Sequence, residues 1–286
     1  MRLGTLTLIH GDARHLTEID RATIALVVTS PPYPMIPQWD RLFESMGARG
    51  YSAMHRILRG AWVECARVLV PGGILAVNIG DAVRSLDGNF RLWPNHANVL
   101  VDATSVGLRP LPHLLWKKPT NKPNAFLGSG FLPPNAYVTL DCEYILLFRK
   151  GNLRSFPRRD AVREASRYSR KERDLWFSQV WSDIRGSRQG SGPNRTAAFP
   201  SEIPDRLIRM FSVVGDTVLD PFAGTGTTLW SAIRSGRDAI GVETDRRAFA
   251  RLITRATSEG VVPVVRRTSH RSAPTPGARV PRPPRA

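Results

Sequence analysis

Val218-Leu-Asp-Pro-Phe-Ala-Gly-Thr-Gly-Thr227 joins the end of an apolar strand to a glycine-rich turn. Residues 227–235 then have the apolar spacing of a helix, and the run 238–242 predicts a further strand that ends at Glu243. Glycines in a strand–turn–helix unit let the backbone come close to a ligand, and an acid after the second strand can accept hydrogen bonds from ribose hydroxyls. The stretch therefore predicts an α/β fold with a ligand at the carboxyl ends of parallel strands.

The composition of this turn narrows the choice of ligand. A phosphate-binding loop would carry Gly-Lys-Ser/Thr, and the turn contains no lysine. A dinucleotide site more often has the longer Gly-x-Gly-x-x-Gly pattern. The shorter form suits S-adenosylmethionine, which has no phosphate groups, and in this interpretation Glu243 binds the ribose.

The tetrapeptide Ser30-Pro31-Pro32-Tyr33 follows an apolar run, 24–29, of the kind that forms a buried parallel strand. The exocyclic amine of cytosine or adenine is a poor nucleophile because its lone pair is delocalised into the ring. The Ser30 hydroxyl and the Pro31 carbonyl can accept the two amino protons, and the prolines hold both acceptors in place. Tyr33 can stack on a flipped base. Alone, this tetrapeptide is often a rigid turn; beside a methyl-donor site it indicates methyl transfer to an amine by direct displacement.

The charge of the chain indicates a polyanionic partner. The 286 residues include 41 Lys and Arg against 24 Asp and Glu, which gives a formal net charge of +17. Nucleic acid is favoured over a membrane, because the sequence has no basic amphipathic helix with a clean apolar face and no apolar run of roughly 18 residues. The two cysteines, Cys65 and Cys142, form neither a metal-binding spacing nor a disulfide framework, so we predict no metal site and a cytoplasmic protein.

The chain divides into four regions. Residues 1–150 alternate strands and helices, residues 151–198 are polar and rich in arginine, residues 199–260 resume the α/β rhythm, and residues 261–286 are rich in proline and arginine. The last region should be disordered and add nonspecific electrostatic affinity for nucleic acid. The predicted strands are the chain start, 24–29, 74–78, 143–148, 217–219 and 238–242, and the predicted helices are 51–69 (ended by Pro71-Gly72-Gly73), 201–211, 227–235 and 246–258.

The arginine-rich region 151–198 is either a solvated insert or an insert that contacts nucleic acid. Its mixture of charged and aromatic residues favours the second interpretation. The aromatic residues are Tyr168, Trp176, Phe177 and Trp181. Two lysines beside Trp116, Lys117 and Lys118, are either solvated surface residues or further contacts with nucleic acid. The candidates for contacts with phosphates or guanine edges are Lys117, Lys118, Arg158, Arg159, Arg163, Arg167, Arg170, Lys171, Arg173, Arg185 and Arg188.

From about Ile9 to Thr257 the chain resembles the β-class DNA amino-methyltransferases of restriction–modification systems. That class places the catalytic half first, then a target-recognition region, then the donor-binding half, as the motifs are ordered here. The resemblance implies a circularly permuted, Rossmann-like fold dependent on S-adenosylmethionine. It assigns residues 1–150 to the catalytic half, 151–198 to a basic target-recognition insert, 199–260 to the donor-binding half and 261–286 to a basic tail.

The resemblance also implies roles for single residues. Asp12, next to Ala13 in the segment His10-Gly11-Asp12-Ala13, contacts the adenine of the donor, and the backbone of Phe199-Pro200 with Ser201 touches its methionine part. Relatives often have His-Pro before this segment, where this chain has Thr196-Ala197-Ala198. The catalytic motif is Ser30, Pro31, Pro32 and Tyr33. The donor loop and ribose acid are Asp220, Phe222, Gly224, Thr225, Gly226, Thr227 and Glu243.

The first residue of the catalytic motif indicates the base. Ser is typical of N4-cytosine enzymes and Asp of N6-adenine enzymes, so Ser30 favours N4-cytosine in double-stranded DNA, with N6-adenine as the alternative. An RNA or protein amino-methyltransferase would more often have Asn-Pro-Pro-Tyr and an earlier donor loop. A DNA-binding module without activity is disfavoured by the intact Ser30, Tyr33, Asp220 and Glu243. The resemblance permits a cognate restriction endonuclease and either a monomer or a homodimer.

Overall fold

The structure is a computed structural model that describes residues 3–86, 88, 91–118, 138–185 and 199–268. The strands are β1 Leu6–His10, β2 Ile24–Thr29, β3 Leu69–Ile79, β4 Ala82–Val83, β5 Leu92–Trp93, β6 Leu108–Lys117, β7 Cys142–Lys150, β8 Val180–Trp181, β9 Thr217–Asp220, β10 Asp238–Glu243 and β11 Val264–Arg267. The helices are α1 Asp40–Ser45, α2 Tyr51–Val68, α3 Asn95–Ser105, α4 Ala161–Ala165, α5 Arg170–Trp176, α6 Glu202–Phe211, α7 Thr227–Arg234 and α8 Arg246–Ser258. None of the helices in these ranges is long and apolar enough to span a membrane.

Nine strands form one sheet in the order β11-β1-β10-β9-β2-β3-β7-β6-β8. Every neighbouring pair is parallel except the two pairs that involve β7. All strands except β7 therefore end at the same side of the sheet, which we name the carboxyl edge; the opposite side is the amino edge. The predicted, mostly parallel sheet is confirmed.

Helices cover both faces of the sheet. Successive side chains of β2 alternate between the faces: Val28 packs in a cluster with Leu252 of α8, and Val27 packs in a second cluster with Trp62 of α2. Helices α6 and α7 also contribute to the first cluster, and α1 and α3 to the second. Because both faces are covered, all six residues of β2 are buried, as its continuous apolar sequence predicts.

Pro71-Gly72-Gly73 does not end the helix, as the sequence predicted, but lies within the strand that follows it. Helix α2 already ends at Val68, and the three residues lie inside β3 at a register shift against β2. Gly72 has a φ of +80°, and a Cβ there would lie 2.4 Å from the Arg154 nitrogen. The glycine therefore allows a bulge in β3 and the close approach of the chain that follows β7.

Two of the four aromatic residues of the insert belong to the core. Trp181 lies in β8, which pairs with β6, and it is fully buried, as Trp176 nearly is. The indole nitrogen of Trp181 donates to the carbonyl of Trp176 at 2.9 Å. These tryptophans are therefore not available to stack on nucleic acid. Phe177 remains half exposed, and Tyr168 packs against it.

The sequence predicted disorder from residue 261 onward, but the chain directly after Val261 is ordered. Residues 264–267 form β11, which pairs in parallel with β1 in the register Thr7↔Val264 to His10↔Arg267. Pairing satisfies the backbone groups of β1 that an edge position would leave unpaired, and this outweighs the local composition. Residues 269–286, the rest of the predicted tail, lie outside the described residues.

Candidate active site

A cavity of about 900 Å³ opens at the carboxyl edge and unites the two motifs. Ser30, Pro31 and Tyr33 line one side, where β2 ends, and Phe222, Gly224 and Glu243 line the other, where β9 and β10 end. Pro32 is buried and does not line the cavity. Because β9 lies between β10 and β2, the parallel sheet brings the predicted catalytic and donor groups to one site.

Asp220 and Thr29 join the two halves of this cavity. The Thr29 hydroxyl donates to the Asp220 carboxylate at 2.7 Å across 191 residues of sequence, and the Phe222 amide donates to the same oxygen at 3.1 Å. Burial raises the pKa of Asp220 to about 6, against the opposing effect of these hydrogen bonds. Asp220 therefore holds the turn of the donor loop against the strand that carries the catalytic motif.

Asp220→Asn is expected to become more stable relative to the wild type as pH rises from about 4 to 6. Above the ordinary aspartate pKa the unfolded chain ionises, while the folded carboxyl stays protonated until its pKa of about 6, so ionisation favours unfolding over that range. Two pKa units correspond to about 3 kcal/mol in the free energy of unfolding. About 2 kcal/mol of this develops between pH 4.5 and pH 7.5, and urea unfolding of both proteins at these two pH values measures it. A difference that does not change with pH would show that Asp220 titrates at its ordinary pKa.

Glu243 has the geometry of a ribose-binding acid. One carboxylate oxygen accepts from the Gly224 amide at 2.9 Å, the other from the Asp245 amide at 2.8 Å. Each oxygen keeps a second acceptor position, which matches a pair of neighbouring hydroxyls. Burial raises the pKa of Glu243 and the two backbone bonds oppose the rise.

The two glycines of the donor loop, Gly224 and Gly226, are required for different structural reasons. Gly224 lines the cavity with a φ of +52°, and a Cβ added there meets nothing nearer than 3.8 Å, so the open space beside it is free for a ligand. Gly226 does not line the cavity; its φ is +80° and a Cβ would lie 2.7 Å from Leu252. The open backbone at Gly224 and the acceptor pair on Glu243 fit the predicted S-adenosylmethionine.

The other predicted donor residues divide into two groups. Phe199, Pro200, Thr225 and Thr227 line the cavity. The others do not line it. Ser201 is exposed at the start of α6, and Ala13 is buried. Asp12 is bound through both carboxylate oxygens by the Arg14 guanidinium, with a shortest distance of 2.6 Å. Thr196, Ala197 and Ala198 lie outside the described residues.

The hydroxyl of Tyr33 is held by three side chains. It lies 3.0 Å from the Ser30 hydroxyl, it donates to Glu143 at 2.9 Å, and it accepts from the Asn78 amide at 2.8 Å. Burial and the charge of Glu143 raise the pKa of Tyr33 well above its ordinary value, so the phenol keeps its proton. The ring is therefore fixed beside Ser30 at the wall of the cavity.

Sequence reasoning missed three polar residues of this site: Glu143, Asn78 and Asn95. The first two line the cavity and contact Tyr33. Glu143 and Asn78 lie in strands that were predicted from their apolar residues. The presence of a polar residue in a strand of the core was the one feature of the sequence that could have indicated a role in the site. No local pattern points to Asn95.

Asn95 fastens the loop that follows the catalytic motif. Its side chain is fully buried, and its amide nitrogen donates to the carbonyls of Pro34 at 3.1 Å and Gly80 at 3.0 Å. Its oxygen lies 3.2 Å from the His55 Nε2. Burial lowers the pKa of His55 to about 4, so the imidazole is neutral near pH 7 and donates through this nitrogen.

Asn95→Asp is expected to lower both stability and methylation. A carboxylate has no hydrogen to donate, so two buried carbonyls lose their partner, and the free energy of unfolding should fall by about 2–4 kcal/mol. Asn98→Asp in the same helix is the matched control, because Asn98 contacts Tyr51 and Pro94 instead of the catalytic loop. Unfolding and turnover are measured on both variants. Equal losses of turnover would contradict a role of Asn95 in holding the loop.

Most of the arginines proposed for DNA contact lie at the amino edge. Arg154 pairs with Asp216 just before β9, and the Val214 amide donates to Ser166. The Glu172–Arg209 pair joins α5 to the last turn of α6. The structure therefore does not bring the following residues to the cavity: Arg158, Arg159, Arg163, Arg167, Arg170, Lys171 and Arg173.

The remaining candidates lie at the carboxyl edge or outside the described residues. Lys117 and Arg185 are exposed near the ends of β6 and β8. Lys118 lines the cavity, and its ammonium group donates to Glu143 at 2.7 Å. Arg188 lies outside the described residues. Two arginines that sequence reasoning did not select, Arg41 of α1 and Arg251 of α8, are exposed and line the cavity.

Comparison with known proteins agrees with this geometry. The sequence model of a family described as DNA methylase matches residues 24–254. The type II methyltransferase M.MjaI of Methanocaldococcus jannaschii is 53% identical over 264 residues, which cover 84% of this chain and 87% of that protein. M.MthZI of Methanothermobacter thermautotrophicus, also a type II methyltransferase, is 45% identical over 249 residues, 80% of this chain and 70% of that protein.

A solved structure is similar over nearly the whole chain. TTHA0409 of Thermus thermophilus, designated a DNA modification methylase and crystallised with S-adenosyl-L-methionine, has a TM-score of 0.74 and 36% sequence identity. The match covers 93% of this chain and 100% of that chain. The similarity therefore includes both the catalytic and the donor side of the cavity.

Proposed function

The chain belongs to the DNA methylase family, and on that basis we propose that it methylates the exocyclic N4 amine of cytosine at a specific site in double-stranded DNA. The Rossmann-like fold, S-adenosylmethionine as the methyl donor and the restriction–modification type of methyltransferase, which the sequence predicted, are confirmed. The observation that carries the proposal is the meeting of Ser30 with the donor loop in one cavity.

The choice of cytosine is supported by Ser30. In the class that the chain resembles, Ser at this position is typical of N4-cytosine enzymes and Asp of N6-adenine enzymes. Ser30 lines the cavity together with the donor loop, and this position supports a contact between its hydroxyl and the amine. N6-adenine is the second candidate, because the same cavity and the same acceptors serve either amine.

The residues of the chain divide the chemistry between two sides of the cavity. S-adenosylmethionine, when bound, would supply an electrophilic methyl group to the base nitrogen; the carbon–nitrogen bond would form as the carbon–sulfur bond breaks, and one amino proton would leave to solvent during or after the transfer. Glu243 and the Gly224 backbone hold the ribose end of the donor. Ser30 and the Pro31 carbonyl accept the amino protons and localise the lone pair on nitrogen. Tyr33 provides an aromatic face for the flipped base.

Nucleoside mass spectrometry tests the proposal. Unmethylated DNA is incubated with the protein and S-adenosylmethionine, digested and analysed, with Ser30→Ala as the control. N4-methylcytosine is the expected product. N6-methyladenine would overturn the choice of base, and methylation found only in RNA would overturn the choice of nucleic acid.

We also propose that the duplex lies across the carboxyl edge. A base must leave the duplex and enter the cavity to reach Ser30, so the neighbouring phosphates lie close to the cavity mouth. Arg41 and Arg251 line that mouth from α1 and α8, and Lys117 and Arg185 lie at the same edge. The exposed arginines of α4 and α5 lie at the amino edge and serve as an internal comparison.

R41Q/R251Q is expected to weaken DNA binding and its dependence on salt. Each lost phosphate contact lowers the slope of log K against log salt by about 1, so the double variant should lose about 2. R158Q/R163Q removes the same charge from the amino edge and is the matched control. Fluorescence anisotropy at several salt concentrations measures both slopes. A loss confined to R158Q/R163Q would assign DNA contact to the insert, as the sequence first suggested, and equal losses would contradict a duplex that lies at the carboxyl edge alone.

Further partners rest on the resemblance to restriction–modification enzymes. We propose a cognate restriction endonuclease that cuts the same site when it is unmethylated, and a monomer or homodimer in solution. Light scattering after size-exclusion chromatography distinguishes the two states.

A further inference from the structure

We propose that Glu143 is a positioning residue that directs the hydrogen bond between Ser30 and Tyr33, so that Ser30 meets the target amine as an acceptor only. The inference rests on the proposed function, since it concerns the amine that the enzyme methylates. It assigns a task to a residue outside both sequence motifs. It also gives Lys118 a structural partner.

Glu143 lies at the start of β7 with its side chain 12% exposed. One oxygen accepts from the Lys118 ammonium at 2.7 Å. The other accepts from the Tyr33 hydroxyl at 2.9 Å and from the Asn78 amide at 2.6 Å. A carboxylate only accepts hydrogen bonds, so all three neighbours must donate to it.

The direction of the next hydrogen bond follows from counting protons. The hydroxyl of Tyr33 has one proton, and that proton is committed to Glu143. The 3.0 Å contact between Tyr33 and Ser30 therefore needs the proton of Ser30. The Tyr33 oxygen accepts it together with the bond from Asn78, which uses both of its acceptor positions. Ser30 then presents only lone pairs to the cavity.

This direction matters because a free serine hydroxyl can either donate or accept. A hydroxyl that donated to the target nitrogen would occupy the lone pair that attacks the methyl group. A hydroxyl that accepts an amino proton instead localises that lone pair. An acceptor oriented before the base arrives needs no reorganisation during the reaction, which is how preorganised groups increase kcat.

The neighbouring residues hold the hydrogen bonds from Ser30 to Tyr33 and from Tyr33 to Glu143 in this direction. Asn78 is 2% exposed and donates to both Tyr33 and Glu143, so its amide orientation is set by the same carboxylate. Gly80 closes the site from the side, because a Cβ there would lie 3.1 Å from the Tyr33 ring and 3.3 Å from Glu143. The raised pKa of Tyr33 keeps its proton in place.

E143Q is the first test variant, and it should reverse the direction of the hydrogen bonds that link residue 143, Tyr33 and Ser30. Lys118 can only donate, so the new amide turns its oxygen to Lys118 and its NH2 group to Tyr33, and Asn78 loses the acceptor for one of its two amide protons. The Tyr33 proton then turns to Ser30, and the Ser30 proton turns to the cavity. We expect kcat to fall about 10²-fold, with the Kd values for DNA and donor within about twofold. Asp141→Asn removes a neighbouring charge without a described contact to Tyr33 and is the matched control.

A double-mutant cycle separates positioning from a structural role. Without the phenol oxygen, Glu143 has no path to Ser30, so E143Q should change the kcat of Tyr33→Phe by less than about twofold. Independent, additive losses together with a lower Tm for E143Q would overturn the proposal.

A second readout does not depend on methylation. The chain has five tyrosines, and the Tyr33 signal of protein labelled with ¹³C at the tyrosine Cζ is assigned with Tyr33→Phe. E143Q is expected to lower the pKa of Tyr33 in this titration, and Asp141→Asn to leave it unchanged. An unchanged pKa in E143Q would overturn the hydrogen-bond chain even if the enzyme methylates DNA. A wild-type protein that does not methylate DNA would overturn the proposed function. The titration of Tyr33 would still show whether Glu143 accepts the hydrogen bond from Tyr33.

Discussion

Ser30→Ala is expected to lower kcat for DNA methylation by about 10²- to 10³-fold, the size of effect that follows removal of one preorganised group at a reacting centre. The Kd for S-adenosylmethionine should stay within about twofold. Ser30 follows β2 and contacts Tyr33, whereas Glu243 ends β10, with β9 between these two strands. The substitution therefore removes an acceptor for the amine without touching the donor side of the cavity.

Steady-state turnover with a radiolabelled methyl group, at saturating DNA and donor, measures kcat for this variant, and calorimetry measures donor binding. Ser45→Ala is the matched control, because Ser45 also lines the cavity but donates to the carbonyl of Leu42 in its own helix. It should keep full activity. If Ser30→Ala weakened donor binding as strongly as turnover, Ser30 would have to be assigned to the donor site.

The meeting of the two motifs was predictable from sequence because each motif is local and the topology follows from simple rules. The continuous apolar run of β2 and the shorter apolar pair Val218-Leu219 of β9 indicate parallel strands buried on both faces, and loops after such strands share one edge of the sheet. Ser30 directly follows β2, and Glu243 is the last residue of β10, which pairs with β9. Their approach therefore needed no knowledge of side-chain contacts.

Glu143 and Asn95 were not predictable, because their roles depend on contacts between distant segments. Glu143 is the second residue of β7, the strand of the nine-stranded sheet that runs antiparallel to both of its neighbours, so the start of β7 rather than its end lies at the carboxyl edge. From sequence, an acid at the start of a strand would be placed at the opposite edge. Asn95 reaches the catalytic loop only because α3 packs beside it.

The insert shows the limit of reading charge from composition. Its arginines were visible in the sequence, but the edge of the sheet at which they lie depends on pairs such as Arg154–Asp216. Trp181 shows the same limit for aromatic residues, since pairing of β8 with β6 places it in the core. Trp181 therefore packs in the core and does not have the stacking role that composition suggested.

Glu243→Ala is expected to raise the Kd for S-adenosylmethionine by about 10²-fold and to leave kcat at saturating donor nearly unchanged. Two hydrogen bonds from hydroxyls to a carboxylate contribute roughly 3 kcal/mol together, which corresponds to this change in Kd. The substitution also removes the acceptor for the Gly224 amide, so the donor loop loses a contact that shapes its open side. Both effects act on donor binding and not on the amine.

Calorimetric titration with S-adenosylmethionine and turnover at saturating donor test this prediction. Asp245→Asn is the matched control: this carboxylate also lines the cavity, and asparagine keeps the cap that Asp245 gives to α8 through the Ala248 amide. Its Kd for the donor should change little. A loss of kcat in Glu243→Ala that saturating donor does not restore would contradict a pure binding role. Glu243 would then have to act on the reacting centre, through the donor loop and the bond from Asp220 to the strand of Ser30.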